Sequence, residues 1–471
     1  MSFNLLGTFV LNLILAIIYI FSFTYYFQIK EYRFDRLFSF LREKGFLQSL
    51  IPDKFYKPKP SFRNLIIVGL SFLLVLLVII KTDWLFGWLL GIAGVVAGVL
   101  VTEPVSLLKR NIDITKAKKK LAKSSTQVIG ITGSYGKTST KEFLYQILKT
   151  QFETEKTMQN FNTNVGVAIS INKNLKPQTQ YFVAEIGAYK IGEIKTVTNW
   201  VKPKYGILTA LGNQHIDLFG SKENLIKAKK ELLTSLPKEG TAYVNIDSKG
   251  FEKATNEIQA KVVKYSASSN NADIYIEKLN ITDSKTSVDV TYHNERFNLS
   301  TGLIGKHNLV NLLPCIALAY DLGISKEKIL KAIGNLKNEF GKLSLHKGLK
   351  GSQVLFDGKN SNVNGFISAL ETLASLNTPT KLVITKGIIE LGKEKKRSYE
   401  TILRKLRKSK AKMITTDKLF NELDEHADVR LVKTEKEIYE FLHQQLDNSS
   451  ALLVEGKFTE PFVTKLGISN G

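Results

Sequence analysis

Cysteine is nearly absent from this chain, which has a single residue of this type, Cys315, among 471. One cysteine cannot form a disulfide framework, so the disulfide-stapled secreted folds are excluded and a reducing compartment is favoured. Acidic residues are also scarce, because 43 Asp and Glu face 66 Lys and Arg, for a formal net charge of +23. Such an excess admits nucleic acid, anionic lipid or an anionic small substrate as a partner.

Charged residues are absent from three long apolar runs near the N-terminus, at 4–27, 64–80 and 84–102. Their length suits bilayer spans. The first run lacks the basic n-region and the small-residue cleavage site of a signal peptide. Only three residues separate the last two runs, which predicts a helical hairpin with Trp84 and Trp88 at an interfacial position. The sequence therefore predicts three transmembrane helices within residues 1–104.

Basic residues flank these runs. The loop at 28–63 carries nine Lys and Arg residues, and a basic linker at 105–123 carries seven more. By the positive-inside rule both segments are cytoplasmic, and three spans put them on the same side of the membrane. We expect a multi-pass protein of the cell membrane with its N-terminus outside and its catalytic domains in the cytoplasm. Because the first 123 residues hold 17 basic and 7 acidic residues, they would be attracted to an anionic leaflet, and nucleic acid is discounted.

A glycine-rich stretch organises the rest of the chain, reading V-I-G-I-T-G-S-Y-G-K-T-S-T-K-E-F-L-Y over 128–145. It begins as a buried strand, and residues 141–148 have helical periodicity. A strand, a glycine turn and a helix form the setting of a phosphate-binding loop. Lys137 would contact the β- and γ-phosphates, and Thr138 would hold Mg²⁺. Ile131 replaces the first glycine of the usual G-x-x-x-x-G-K-[ST] pattern, and an ordinary glycine turn is the alternative.

Several polar positions follow this loop along the chain. The Asn-rich segment N-F-N-T-N-V-G at 160–166 offers amides for phosphate or substrate, or else simple turn chemistry. Glu185 ends a predicted strand at the edge where α/β sheets bind ligands, so it is a Mg²⁺ candidate rather than an ordinary surface glutamate. His215 follows the next strand, and Lys229 lies in a predicted helix. Alternating strands and helices predict a mostly parallel sheet, with an antiparallel excursion at 268–303.

The order of these motifs resembles that of the Mur ligases, ATP-dependent enzymes that build cell-wall peptides. The motifs are T-G-S-Y-G-K-T-S-T-K-E, N-F-N-T-N-V-G, E-I-G-A, N-Q-H-I-D-L-F-G-S, A-K-K-E and G-K-H-N-L-V-N. The resemblance covers about 124–471, and it implies a central ATP-binding domain at 124–345 and a C-terminal domain at 346–471. The expected fold class is α/β, with three N-terminal transmembrane helices, a phosphate-loop ATPase domain of mostly parallel sheet and a smaller C-terminal α/β domain.

The resemblance implies ADP-forming amide synthesis, in which ATP phosphorylates a substrate carboxylate and an amine attacks the acyl phosphate. Two Mg²⁺ ions and Lys137 would neutralise the moving charge. The expected partners are a cell-wall precursor peptide, an amino acid or dipeptide amine, and an anionic membrane surface.

The resemblance also assigns roles to individual residues. The nucleotide-binding residues would be Gly133, Ser134, Gly136, Lys137, Thr138, Ser139, Asn308, Asn311, Lys342 and Asp357. The metal ligands would be Thr138, Glu185, His215 and Lys229. Lys229 matches a lysine that the family carries as a carbamate, and it would share the catalytic role with Lys137 and His215. The substrate-binding residues would be Asn160, Asn162, Asn164, Lys359, Asn360 and Asn362. Lys342 replaces a usual arginine, which keeps the charge but loses the planar fork.

The chain departs from the family pattern in two respects. The predicted transmembrane helices and the basic linker occupy the place of the family's UDP-sugar-binding domain. Either the acceptor is therefore lipid-linked, or the membrane anchor only localises the enzyme near cell-wall synthesis. The loop D-G-K-N-S-N resembles the D-glutamate-adding branch through Lys359. The phosphate loop, the Asn-rich motif and E-L-G resemble the D-alanyl-D-alanine-adding branch, which we favour. A usual histidine after E-L-G is absent, with Arg397 and Tyr399 nearby instead, and Glu455 replaces a usual lysine.

Two other classes of protein compete with a ligase. A membrane-tethered transport or motor ATPase would show a Walker-B strand ending in Asp and an arginine finger, and no clear pair is found. A non-catalytic scaffold of the same family would have no chemical need to keep five site residues together. Those five are Lys137, Thr138, Glu185, His215 and Lys229.

Overall fold

A computed structural model describes residues 2–44, 55–79, 87–212, 216–281, 286–336, 343–358, 362–388, 391 and 394–468. The chain divides into two compact units, Met1–Thr115 and Lys116–Gly471. The first unit is built from helices. Their bounds are α1 Ser2–Ile29, α2 Phe34–Lys44, α3 Phe62–Ile79 and α4 Gly87–Ala122. The segment predicted as a basic linker is therefore helical up to Ala122.

Two of these helices are long and apolar enough to cross a bilayer, over Val10–Ile29 and Leu89–Ala122. The apolar part of α3, Phe62–Leu77, is shorter. Length and composition thus support two spans in the described part of the chain and do not confirm the third. The predicted hairpin turn with Trp84 lies outside the described residues.

Close helix packing characterises the first unit. A Cβ atom built on Gly94 would lie 2.8 Å from Ser71 Cα, and one on Gly98 would lie 3.0 Å from Ile67 Cα. These glycines let α4 approach the backbone of α3, as small residues do between membrane helices. At the end of the pair, Glu103 accepts from Arg63 at 2.6 Å and from Arg110 at 3.2 Å, so the charges at this end are paired.

The second unit contains a nine-stranded sheet. Its strands are β1 Gln127–Thr132, β2 Thr154–Lys156, β3 Tyr181–Glu185, β4 Tyr205–Leu208, β5 Thr241–Asn245, β6 Lys261–Ser266, β7 Ile274–Ile281, β8 Thr286–Tyr292 and β9 Glu295–Thr301. They lie in the order β2-β3-β1-β4-β5-β6-β7-β8-β9. The strands from β2 to β7 pair in parallel, whereas β7, β8 and β9 pair antiparallel. The predicted parallel sheet and its antiparallel excursion are confirmed.

Helices connect these strands and cover the sheet. They are α5 Lys137–Leu148, α6 Asn164–Asn174, α7 Glu193–Val201, α8 Ile216–Phe219, α9 Lys222–Thr234, α10 Phe251–Thr255, α11 Lys306–Asp321 and α12 Lys326–Gly334. The parallel strands are apolar because helices cover the sheet. Leu144 and Ile147 of α5 and Leu312 of α11 share one core with Val183 and Tyr243 of the sheet.

The C-terminal part of this unit has a second, six-stranded sheet. Its strands are β10 Ser344–Lys347, β11 Gln353–Asp357, β12 Thr380–Thr385, β13 Lys412–Thr415, β14 Val429–Leu431 and β15 Ser450–Glu455. They lie in the order β10-β11-β15-β12-β13-β14, and only β10 pairs antiparallel. The helices around it are α13 Val363–Ser375, α14 Lys395–Lys408, α15 Lys418–Glu422, α16 Glu435–Gln445 and α17 Glu460–Lys465.

Candidate active site

The glycine-rich loop follows the central strand β1, between β3 and β4. Gly133 has φ +151° and Gly136 has φ +86°, conformations that a side chain rarely adopts. A Cβ atom on Gly133 would also lie 2.1 Å from Thr209 Oγ1. The glycines are therefore required by the turn itself. Helix α5 begins at Lys137, four residues before the periodic segment that the sequence identifies, with Gly136 as its N-terminal flanking residue.

Hydrogen bonds fix this loop against the loop after β4. Ser134 N donates to Ala210 O at 2.7 Å, and Ser134 Oγ accepts from Gly212 N at 3.0 Å. Thr209 Oγ1 donates to Tyr135 O at 2.6 Å. These contacts set the loop's shape without a ligand, so the Ser134 hydroxyl has a structural role in addition to any phosphate contact.

The Lys137 side chain bends back over the loop. Its Nζ donates to Gly133 O at 2.8 Å and to Ser134 O at 3.2 Å. Burial lowers the pKa of Lys137, and the negative charge of Glu185 acts in the opposite direction. The ammonium group thus lies at the mouth of a turn whose backbone N–H groups open a helix, where anions bind.

Glu185 ends β3 and is 1% exposed. Its Oε1 accepts from Asn162 Nδ2 at 3.1 Å, and its Oε2 accepts from Lys141 Nζ at 3.2 Å. Its backbone N–H donates to Thr157 Oγ1 at 3.0 Å. The carboxylate is therefore held in one orientation beside the phosphate loop, as its prediction as a metal ligand requires.

Lys141 is a site residue that the sequence reasoning missed. It is 0% exposed and lies on α5, four residues after Lys137. Lys141 is buried beside Ser139, Thr140 and Phe143, which only the fold shows, and a lysine is almost never fully buried unless it is paired.

The residues around the loop fit a magnesium-bound nucleotide. The hydroxyl oxygens of Thr132 and Thr140 are buried and have no hydrogen-bond partner within the described ranges. Thr138 and Glu185 supply a hydroxyl and a carboxylate, and hard cations such as Mg²⁺ prefer oxygen ligands. Ser139 is buried in the first turn of α5. When bound, the nucleotide would supply the phosphoryl group, and Lys137 would hold its terminal phosphates.

Lys229 lies in α9 and is 3% exposed. Burial, and to a lesser degree the charge of Lys137, lower its pKa to about 7, although Glu193 and Glu231 act in the opposite direction. Its Nζ lies 5.6 Å from the centroid of the Phe219 ring. A lysine with this pKa is substantially neutral near pH 7, which is the nucleophilic form that carbamate formation needs.

His215, the other predicted ligand of the second ion, lies outside the described residues. Within the described part of the chain, no three His, Cys, Asp or Glu side chains come together as a metal site. The predicted set of Thr138, Glu185, His215 and Lys229 differs in kind, because the resemblance implies that Lys229 binds metal as a carbamate.

The two asparagines of α11 that were predicted to contact the nucleotide are both buried, and one of them lies against the phosphate loop. A Cβ atom on Gly136 would lie 2.4 Å from Asn311 Oδ1, so Asn311 packs against the loop itself. Asn308 is 2% exposed and its Nδ2 donates to Ile304 O at 2.7 Å. The implied adenine contacts of both residues stay predictions.

The predicted substrate asparagines have different surroundings. Asn160 is exposed, and Asn162 binds Glu185 as described above. Asn164 accepts from Trp200 Nε1 at 2.8 Å and opens α6. Asn362 caps α13, since its Oδ1 accepts from Gly365 N at 2.9 Å. The structure thus gives Asn162, Asn164 and Asn362 structural contacts, and their substrate roles stay predictions.

The remaining predicted residues belong to the C-terminal sheet or lie beside it. Asp357 ends β11, and its carbonyl accepts from Gly456 N at 2.8 Å. Lys342, Lys359 and Asn360 lie outside the described residues. Across the two sheets, His307 Nδ1 and Ser368 Oγ are 2.8 Å apart, and α11 packs on α13. The helix that carries Asn308 and Asn311 therefore connects the two sheets of this unit.

Tyr399 supports the turn after β12. It is fully buried, its hydroxyl donates to Asp417 Oδ2 at 2.7 Å, and it accepts from Ile388 N at 2.9 Å. Lys395 pairs with the same carboxylate at 2.9 Å. Arg397 is exposed on α14. Tyr399 is therefore a structural residue rather than a replacement for the family's histidine.

The geometry above joins a phosphate loop, a buried carboxylate and a buried lysine at one sheet edge. Residues 131–319 match the family model described as the Mur ligase middle domain. This part of the chain is therefore similar to the Mur ligase middle domain. The resemblance read from the motifs is confirmed.

Curated relatives specify the branch. The UDP-N-acetylmuramoyl-tripeptide--D-alanyl-D-alanine ligase of Escherichia coli (strain K12) is 30% identical over 278 residues, covering 57% of this chain and 59% of that protein. The ligase of the same name from Bacillus subtilis (strain 168) is 28% identical over 297 residues, covering 63% and 62%. The chain is thus similar to D-alanyl-D-alanine-adding ligases, and it spans about three fifths of the length of these relatives.

Solved Mur ligases share the fold. A MurF crystal structure from Acinetobacter baumannii superposes with a TM-score of 0.69 at 21% identity, covering 76% of this chain and 80% of that one. The MurF ligase from Thermotoga maritima, solved in complex with ADP, gives 0.67 at 22% identity, covering 74% and 80%. The α/β expectation is confirmed by these comparisons.

Proposed function

We propose that this protein is an ATP-dependent, ADP-forming amide ligase of cell-wall precursor synthesis that adds D-alanyl-D-alanine. A precursor-peptide carboxylate would accept the γ-phosphoryl group of ATP, and the dipeptide amine would attack the acyl phosphate and release inorganic phosphate. The relatives named above carry this specificity in their names, UDP-N-acetylmuramoyl-tripeptide--D-alanyl-D-alanine ligase.

One observation carries the proposal: three ionisable side chains with complementary roles lie around the phosphate loop, with Glu185 and Lys229 buried and Lys137 partly buried. Lys137 covers the loop, Glu185 is fixed at the end of β3, and Lys229 is held with a lowered pKa. Burying ionisable groups costs stability unless they are used or paired. A scaffold that binds no nucleotide would have no chemical reason to keep them. We further propose two Mg²⁺ ions, the second involving Lys229 and His215.

The N-terminal unit favours a location at the cell membrane. Two helices are long and apolar enough to span it, and the glycines of α4 pack this helix closely on the apolar α3. We propose that the basic segments face the cytoplasm, with the catalytic unit on that side. A protein fixed at the membrane would meet a lipid-linked precursor there, so the acceptor is either the UDP-linked peptide or its lipid-linked form.

The test uses the full-length protein in detergent with ATP, Mg²⁺ and D-alanyl-D-alanine. One reaction contains the UDP-linked tripeptide and a second contains its lipid-linked counterpart, with the product followed by mass spectrometry. A mass increase of one dipeptide on either acceptor supports the proposed reaction. Product only from the lipid-linked acceptor would mean that the membrane helices help to bind the acceptor. Product from the UDP-linked form would mean that they only localise the enzyme at the membrane. Product with D-glutamate alone would contradict the choice of amine.

A further inference from the structure

The buried Lys141–Glu185 pair is the feature of the site that the proposed reaction does not itself need. A phosphate loop requires Lys137, and a metal site requires the carboxylate. Neither requires a second, fully buried ammonium group 3.2 Å from that carboxylate. The proposed function therefore leaves this group unexplained.

The contacts of Lys141 show where its charge acts. Its Nζ donates to Glu185 Oε2 and to the backbone carbonyl of Gln159. Gln159 has φ +41° and lies directly before the Asn-rich segment. Lys141 thus holds the phosphate-loop helix, the Asn-rich loop and the candidate metal ligand together.

Two lysines contribute positive charge close to Glu185. Lys137 lies close enough for the charge of Glu185 to affect its titration, and Lys141 is in direct contact with the carboxylate. Glu142 lies 3.7 Å from Lys141 Nζ at a quarter-exposed position and offsets part of this charge. A dication that approaches Glu185 therefore meets a buried ammonium group in direct contact with its carboxylate ligand. Like charges at such separations repel strongly when water is excluded. A nucleotide's phosphates would reverse this balance, because they bring several negative charges to the same loop.

We propose that Lys141 is a positioning residue that acts as a resident counter-cation of Glu185 and makes metal binding at this carboxylate depend on a bound nucleotide. It orients the carboxylate in the free enzyme, together with Asn162, which donates to the other oxygen. It also weakens the affinity of the empty site for a free divalent cation. Metal then enters with the nucleotide instead of before it. This inference rests on the proposed role of Glu185 as a metal ligand.

The test measures Mn²⁺ binding to the full-length protein in detergent, with the free ion followed by electron paramagnetic resonance. The informative variant is Lys141→Gln, because glutamine can still donate a hydrogen bond to Glu185 but carries no charge. We expect nucleotide-free Lys141→Gln to bind Mn²⁺ about tenfold more tightly than wild type, in line with typical coupling energies. By the reciprocity of linked binding, the gain in Mn²⁺ affinity caused by ADP should shrink by the same factor.

A matched control comes from the end of the same helix. Lys149 directly follows α5 and is exposed, and its Nζ donates to Tyr145 Oη at 3.3 Å. Lys149→Gln also removes one positive charge, so it should leave Mn²⁺ affinity within about twofold of wild type, because solvent screens an exposed charge. Unfolding midpoints of both variants report any loss of stability separately from metal affinity.

The outcomes separate this inference from the proposed function. Mn²⁺ affinity of Lys141→Gln equal to that of Lys149→Gln, with a lowered unfolding midpoint, would mean that Lys141 only stabilises the fold. Glu185→Gln should remove the site in either background, and if it leaves the Mn²⁺ dependence of ADP binding intact, the metal role of Glu185 fails as well. If Lys141→Gln does not fold, wild type decides: tight Mn²⁺ binding without nucleotide contradicts the proposal.

Discussion

The nine-stranded and six-stranded sheets are both mostly parallel, yet the charged residues at their carboxyl edges have different roles. At the edge of the nine-stranded sheet, Lys137, Lys141 and Glu185 lie beside the glycine loop. Two glycines of this loop have positive φ angles. At the edge of the six-stranded sheet, the polar groups mostly bind one another. Tyr399 binds Asp417 there, and Asn362 caps α13.

The difference separates the residues that the proposed reaction requires from the residues that the fold requires. Buried charge in the first sheet is concentrated around the predicted phosphate loop. In the second sheet, Tyr399 and Asn362 have local tasks in a turn and at a helix end. Substitutions at the two edges should therefore separate loss of activity from loss of stability.

The largest effect is expected at Lys137. Lys137→Met removes the cation that would hold the terminal phosphates, so kcat should fall by about 10³-fold or more, the order seen when a key electrostatic group is lost. The unfolding midpoint should stay level or rise, because the variant buries no charge at this position. Steady-state ADP release and thermal unfolding measure both quantities. Turnover within tenfold of wild type would remove Lys137 from the reaction.

Lys229 comes next. Lys229→Arg keeps a positive charge but cannot form a carbamate, and Lys229→Met keeps neither property. If the carbamate is required, both variants should lose activity to a similar degree, by about 10²-fold, the upper end for groups that support a metal. Partial rescue by arginine alone would mean that Lys229 acts as a cation, contrary to the proposed second metal site.

Gly133 tests whether the loop's shape requires glycine. Gly133→Ala adds a Cβ atom 2.1 Å from Thr209 Oγ1 at φ +151°, so we expect a loss of about 3 kcal/mol in unfolding free energy and weaker ADP binding. Gly192→Ala is the matched control, because Gly192 has φ +93° but nothing lies within 4 Å of its added Cβ. Equal losses in the two variants would mean that backbone strain alone, and not the contact with Thr209, explains the glycine.

Tyr399 represents the six-stranded sheet. Tyr399→Phe removes a hydroxyl that donates to Asp417 and accepts from Ile388, leaving both groups with one partner fewer in a buried turn. We expect a loss of about 1–2 kcal/mol in unfolding free energy. Turnover at a temperature where the variant is folded should stay close to wild type. A hundredfold fall in kcat without a change in stability would give Tyr399 a role in the reaction.

Asn362 should give the smallest effect. Asn362→Ala removes the cap of α13 and should cost about 1 kcal/mol. Asn362→Asp keeps a capping oxygen and serves as the control. If Asn362 also binds substrate, KM for the amine should rise in Asn362→Ala by far more than the stability change explains. An unchanged KM would leave it a structural residue.

The sequence was informative where chemistry restricts the residue type. The glycine loop, Lys137 and Glu185 were identified because strand, turn and helix each leave a pattern. Lys141 was not identified, because its partners Gln159 and Glu185 come from other segments and only the fold brings them together. Similarly, Asn362 matched a family motif, but a helix cap and a substrate contact use the same side chain. The start of α5 was predicted late because its first turn is polar and lacks apolar periodicity.

The membrane segment illustrates a different limit. Hydropathy predicted three runs of similar quality, whereas the described helices differ in length. Two satisfy the length expected of a span, and the apolar part of α3 is shorter. The end of α3 borders residues outside the described part of the chain, so the third predicted span stays a prediction.

The central claim is that the edge of the nine-stranded sheet performs amide ligation with D-alanyl-D-alanine. The most direct measurement is ADP release by the full-length protein, with the precursor peptide and D-alanyl-D-alanine added separately and together, beside Lys137→Met. The account predicts rapid ADP release only when both substrates are present, and none from the variant. Equal release without the dipeptide, or release that Lys137→Met retains, would contradict it.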